Sequence, residues 1–270
     1  LDTAGRDAYA TISGRMEFIS KLVSAGFSLL SSILFSLSQR TVFVVSAILG
    51  LISFFIVLSL PDKPKTLVPM KDLKISHLKE NFQHGLKLFT QNSNIRNITL
   101  ITAIVTSFLI FSFEMYQVKF GLMGIPSKWN GPIYASFMII MGFGSSSARN
   151  MLRSLKHNNT VRVLVGSLSL SFIIFSLADK LYLVFFAIIL QQFAFGCWEI
   201  IVNNFLLDTC KSDEIKSTVI SMNSLIINMI KGVIVGSLGI LANMYSLPFI
   251  YLALGICLPL FTTLVFFPYK

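Results

Sequence analysis

The sequence predicts an all-α, polytopic membrane protein, a helical bundle of about eight transmembrane helices. Three observations carry that prediction. Long apolar stretches follow one another, Thr41 to Leu60, Ile98 to Phe113, Val161 to Ala178 and Leu247 to Phe267 among them. Of the 270 residues 54% are hydrophobic, 13% are charged and 25 are Phe, with a mean hydropathy of +0.75. The basic residues, finally, are distributed unevenly between alternate connections. A run of about 20 apolar residues spans a hydrocarbon core of roughly 30 Å as a helix, and a soluble fold has no core large enough to hide so many.

In chain order the expected spans are residues 12 to 36, 41 to 60, 96 to 118, 131 to 152, 160 to 178, 180 to 207, 217 to 242 and 246 to 267. Sorted by connection, 15 of the 22 Lys and Arg fall on one side: Arg6, the cluster from Lys63 to Arg96, the group Arg149, Arg153, Lys156 and Arg162, then Lys211, Lys216 and Lys270. The opposite side carries Arg40, Lys119, Lys128 and Lys180, and three more, Arg15, Lys21 and Lys231, lie within spans. Short loops rich in Lys and Arg stay in the cytoplasm, so both ends of the chain are expected there, in the cytoplasmic membrane. The net charge of +10 is thereby explained by orientation and anionic lipid, and nucleic acid is not an expected partner.

Pro61 to Arg96 is the longest connection and the expected domain boundary. Residues 1–60 form the last two helices of an incomplete first bundle, 61–95 a cytoplasmic linker, and 96–270 a six-helix bundle. Within the linker Leu73, Ile75, Leu78, Phe82, Leu86 and Phe89 recur mainly at three- and four-residue spacing among lysines, the pattern of a basic amphipathic helix on a membrane surface. The chain begins Leu1-Asp2-Thr3, with no initiating Met or signal pattern, so sequence upstream is expected to be missing.

Polar residues inside spans carry the functional information, because a charge at the bilayer centre costs about 2.5 to 3.5 kcal/mol on insertion scales. The first span aligns Glu17, Lys21, Ser24, Ser28 and Ser31, with Glu17 and Lys21 one turn apart and able to pair. In the third, Ser107, Glu114 and Gln117 share a face. The sixth places Gln192, Glu199 and Asn203 at i, i+7 and i+11, and the seventh runs Ser217, Ser221, Ser224, Asn228 and Lys231. Stripes of this kind turned inward enclose an aqueous path or a solute site. For the serines alone, helix packing is the competing explanation, since hydroxyl and small residues let helices approach closely. Gly232 and Gly236 read the same way.

Other chemistries find little support. Cys197, Cys210 and Cys257 read as packing residues, and His77, His84 and His157 all sit in loops, so neither a metal cluster, a Ser-His constellation nor a phosphate loop is present and no cofactor is expected. The chain is not expected to be an enzyme.

Several segments carry a family resemblance. The opening, with Gly5-Arg6, Tyr9-Ala10 and Ile12-Ser13-Gly14-Arg15, resembles the segment joining the fourth and fifth helices of bacterial members of the major facilitator superfamily. Asn203-Asn204, followed by Asp213-Glu214-Ile215-Lys216-Ser217-Thr218 and the Ser-rich stretch to Leu225, is similar to that group's junction of helices ten and eleven. Met115-Tyr116-Gln117, Gly131-Pro132-Ile133-Tyr134-Ala135 and Gly142-Phe143-Gly144 suit helices seven and eight. Lys216 and Ser217 stand where Arg and Ala are usual. In the loop from Gly142 to Arg162, corresponding to the second copy of the superfamily's Gly-x-x-x-Asp-Arg-x-Gly signature, Ser145, Ser146 and Ser147 precede Arg149 without the Asp.

The resemblance implies that the eight spans match helices five to twelve of a twelve-helix transporter, with the missing N-terminal helices as partners. It further implies secondary transport of a small solute by alternating access, proton-coupled, with export the expected direction. Glu114 and Glu199 then stand for protonation or cation recognition, Lys231 for charge neutralisation or an anionic substrate group, Gln117, Asn203 and Asn228 for neutral hydrogen bonds, the Glu17 and Lys21 pair for the same pathway, and Arg149 and Arg153 for a cytoplasmic gating loop. A non-transporting membrane scaffold, a truncated remnant of such a transporter, is the alternative expectation.

Overall fold

The computed structural model describes residues 3–59, 89–155, 157–209 and 213–266. All regular structure among them is helical. The main helices are α1 (Thr3–Leu37), α2 (Gln39–Ser59), α3 (Ser93–Leu122), α4 (Asn130–Ser154), α5 (His157–Leu177), α6 (Leu181–Thr209), α7 (Asp213–Met244) and α8 (Leu247–Phe266), with a 3-10 turn at Ser127–Trp129. They coincide one for one with the eight expected spans. The boundaries differ where helices continue beyond their apolar core; α1 begins nine residues earlier than expected. The expected linker helix lies outside the described residues but for its end, where Phe89 packs on the core.

Local signals set the ends. Asn92 caps α3, its side-chain oxygen accepting from the N–H groups of Asn94 and Ile95 at 3.0 and 3.3 Å. After α3 the chain turns through Gly124, whose φ of 77° suits a residue without a Cβ. Pro132 and Pro248 lie in first turns, where a missing N–H leaves no intrahelical bond unmade.

Seven helices are long and apolar enough to cross a membrane. The exception is α4: its 25 residues suffice in length, but Ser145, Ser146, Ser147, Arg149, Asn150 and Arg153 lower its hydropathy. Its neighbours explain how it is held. α1 runs antiparallel along it, with Gly14 beside the Ser145 carbonyl, Gly142 against Phe18, and Gly131 against Ser32. A Cβ at Gly142 would lie 2.9 Å from Phe18 Cδ2, and one at Gly14 2.8 Å from the Ser145 oxygen, so both positions require glycine as packed. On its other flank α4 meets α6, where Gly144 faces the Phe193 carbonyl and Gly196 the Met141 carbonyl. Small residues that let backbones approach are the usual interface of helices in lipid, where apolar burial itself supplies little drive.

The core lies among α3, α4, α5, α6 and α8, centred on Trp198, Tyr116, Tyr251, Phe137, Phe172 and Phe175, all fully buried. α5 and α8 are joined by Ser169 donating to the Gly255 carbonyl and Ser176 to that of Pro248. α2 lies at the other extreme: Phe43, Phe54, Phe55, Val57 and Leu58 are exposed, an apolar surface suited to lipid.

Candidate functional site

Two cavities collect most of the polar residues that the sequence places inside spans. The first, about 320 Å³, lies between α3, α6 and α7 and is lined by Thr102, Thr106, Ile110, Phe195, Trp198, Glu199, Val202, Asn203, Asn223, Ser224, Ile227, Asn228 and Lys231. Four expected residues, Glu199, Asn203, Asn228 and Lys231, meet there from two helices. Helical periodicity brings them together: Glu199 and Asn203 are one turn apart on α6, and Ser224, Asn228 and Lys231 follow at four and three residues on α7. Glu199 and Lys231 are partly buried, whereas Ser224 and Asn228 are exposed, so the cavity opens along α7.

Electrostatically the cavity holds one charge of each sign. No ion pair joins Glu199 to Lys231, and neither makes a hydrogen bond to a described residue, although each lies within the other's field. The field at Glu199 also has contributions from Lys21 and Glu17 of α1. Those two form the expected pair, Lys21 Nζ standing 2.7 Å from Glu17 Oε1, and act on Glu199 with opposite sign, Lys21 the more strongly. Trp198 and Thr102 both line the cavity, and Trp198 Nε1 and Thr102 Oγ1 are buried without a hydrogen-bond partner among the described residues. Asn223 is engaged, accepting from Thr99 Oγ1 at 2.5 Å and thereby tying α7 to α3.

The second cavity, about 590 Å³, lies toward the opposite end of the bundle, where α1 ends and α3 passes into α4. Its lining includes Ser28, Ser31, Phe35, Phe113, Glu114, Gln117, Asn130 and Tyr134. Glu114 and Gln117 therefore belong to a different space from Glu199. Glu114 supplies the only ionisable carboxylate or ammonium in this lining. Tyr134 is fixed beside it, donating to the Phe113 carbonyl at 2.9 Å with its ring edge-on to Phe113 at 4.8 Å.

The remaining expectations divide. Glu17 and Lys21 line neither cavity, and sit on α1 next to Gly142 of α4. Arg149 and Arg153 are in the last turns of α4, which stays helical to Ser154, and not in a loop. Of the serines on α1, Ser28 donates to the Gly131 carbonyl at 3.1 Å and Ser24 to that of Ser20, which is the packing use of a hydroxyl. Cys197 is buried with its Sγ 3.0 Å from the Gly144 carbonyl, and Cys257 is exposed. Among the described residues no group of His, Cys, Asp and Glu could hold a metal ion.

Gln192 does not join Glu199 and Asn203. It donates to Tyr116 OH at 3.3 Å within a fully buried polar cluster, where Tyr116 OH donates to Gln191 Oε1 and Ser112 Oγ lies 2.9 Å from Gln191 Oε1 and 3.0 Å from Tyr251 OH. Sequence reasoning missed this cluster, and it missed Thr102, Thr106 and Trp198 in the first cavity. The adjacent Gln191-Gln192 in the apolar first half of its span, and the one-turn spacing of Thr102 and Thr106, were the available signals.

No curated protein and no solved structure gives a significant match to the chain. A family profile does: the Major Facilitator Superfamily profile matches residues 2–236, which takes in α1 through most of α7 and all the residues of both cavities. With that match over most of its length and a bundle of membrane-spanning helices around two polar cavities, the chain belongs to the Major Facilitator Superfamily, a family of multi-pass secondary transporters.

Proposed function

We propose that this chain carries a proton-coupled transport path for a small solute, with the cavity between α3, α6 and α7 as the solute site and the cavity at Glu114 as the vestibule at the opposite end. The observation that carries the proposal is the convergence of Glu199, Asn203, Asn228 and Lys231 from two helices on one cavity. A carboxylate and an ammonium without direct partners are costly inside a membrane and are retained there when function requires them. Glu199, facing a partly dry space, loads and releases a proton as access alternates. The seam of α1 on α4 is the contact over which the two halves rock, α1 and α2 belonging to the first half, residues 61–95 to the connection and α3 to α8 to the second. The uneven placement of Lys and Arg supports an orientation with both ends in the cytoplasm, and export is the proposed direction.

The test is solute flux and proton movement in proteoliposomes carrying an internal pH-sensitive dye, comparing the native protein with Glu199→Gln. Solute-dependent proton movement in the native protein, lost in the variant at equal insertion, is expected. Absence of any solute-dependent flux in correctly inserted native protein overturns the proposal in favour of a non-transporting scaffold.

A further inference from the structure

We propose that the first cavity takes a small zwitterionic solute with an apolar body, the chemistry of free amino acids and short unblocked peptides. The inference rests on the reading of this cavity as the solute site, and adds the class of solute to it. Glu199 and Lys231 are the only charged side chains in the lining, and they share the space without an ion pair. Lys21 and Glu17 of α1, paired at 2.7 Å, also act on Glu199 through space, but neither lines the cavity, so neither offers a solute a contact. A solute of net charge would satisfy one of the two lining charges and oppose the other, and a neutral solute would desolvate both without replacing their hydration. A molecule with an ammonium at one end and a carboxylate at the other satisfies both.

Two further observations fit the same class. Trp198 lines the cavity, and its Nε1–H is a buried donor with no acceptor among the described residues; a solute carboxylate or peptide carbonyl that reaches it makes a hydrogen bond the bundle itself leaves unmade. Phe195, Ile110 and Ile227 add an apolar surface to the same lining, which suits a side chain and not a fully hydroxylated solute such as a sugar. The volume of about 320 Å³ stands at the low end of the roughly 300 to 1,000 Å³ typical of small-molecule sites.

Trp198 supplies the measurement. The chain has two tryptophans, and Trp129 is outside both cavities, so Trp129→Phe leaves one reporter inside the site. Its fluorescence is followed in lipid nanodiscs against L-leucine and L-alanyl-L-alanine, and against the blocked forms L-leucinamide and N-acetyl-L-leucine. Saturable binding of at least one zwitterion is expected, with the blocked forms about tenfold weaker or more, since each removes one charge-assisted contact. Glu199→Gln should narrow the gap between L-leucine and N-acetyl-L-leucine, and Lys231→Met the gap between L-leucine and L-leucinamide; Ser221→Ala, on an exposed part of α7, should change neither. Failure of both zwitterions to bind, blocked forms as tight as the free ones, or equal weakening of all probes by both substitutions overturns the proposal. The two readings fail separately: zwitterion binding without flux removes the transport proposal, and flux of a net-charged solute without zwitterion binding removes this one.

Discussion

Glu199 shares its cavity with Lys231 yet pairs with no described residue, and the consequences of that arrangement can be tested one side chain at a time. If Lys231 serves to balance Glu199 and bind solute, Lys231→Met should raise the solute concentration for half-maximal flux by at least about tenfold, the size of one lost charge-assisted contact, while leaving insertion unchanged. Initial-rate measurements over a range of solute concentrations check this, and an unaltered half-saturation would remove Lys231 from the site. The buried cluster of Tyr116, Gln191, Gln192, Ser112 and Tyr251 has a different role. It ties α3, α6 and α8 together, and none of its five residues lines either cavity. Tyr116→Phe should therefore destabilise the bundle by about 1 to 3 kcal/mol, the usual cost of leaving a buried partner unpaired, with little effect on solute affinity. Thermal unfolding in detergent together with ligand titration separates those two outcomes.

At the scale of the element, α4 is the informative case. It alone among the eight main helices is not apolar enough to be counted as a membrane span, and its polar residues are accommodated by α1 and α6 packing closely on either side. Expressed as a single segment with glycosylation reporters, α4 should insert poorly, and it should insert efficiently when α1 and α6 are present in the same chain; efficient insertion alone would show that its neighbours are not needed. Gly196→Ala probes the α4 and α6 contact, since a Cβ there meets the Met141 carbonyl and backbone cannot rotate aside. A loss of about 1 to 3 kcal/mol is expected from such overpacking, read as a lowered unfolding temperature. The helices themselves were legible in the sequence because hydropathy over 20 residues is set by the solvent they cross; all eight expected spans are helical, and seven of them are apolar enough to cross a membrane. The site was legible in part. Polar spacing on α6 and α7 identified Glu199, Asn203, Asn228 and Lys231, because residues three and four apart must share a face. Periodicity within one helix does not say which neighbour that face meets, which is why Gln192 went to the Tyr116 cluster, and why Glu114 and Glu199 turned out to occupy separate cavities.

For the whole molecule, the two cavities stand at different depths of one bundle, each with its own carboxylate, and α3 contributes to both through Thr102 to Ile110 on one and Phe113 to Gln117 on the other. The close seam of α1 against α4 lies beside them, with Lys21 of α1 near enough to Glu199 to act on it electrostatically. A rocking movement at that seam would change the surroundings of Glu199 and of Glu114 together, which is how binding at one end becomes coupled to opening at the other. The most direct measurement uses a background without native cysteines, Cys197, Cys210 and Cys257 all replaced by Ala, carrying either Asn228→Cys or Gln117→Cys, and reads labelling by a membrane-impermeant maleimide from each side of oriented vesicles. Alternating access predicts that an imposed proton gradient or added solute raises labelling at one position from its side while lowering it at the other from the opposite side. Labelling of the two positions that rises and falls together, or that ignores both treatments, would contradict a single alternating path through the two cavities.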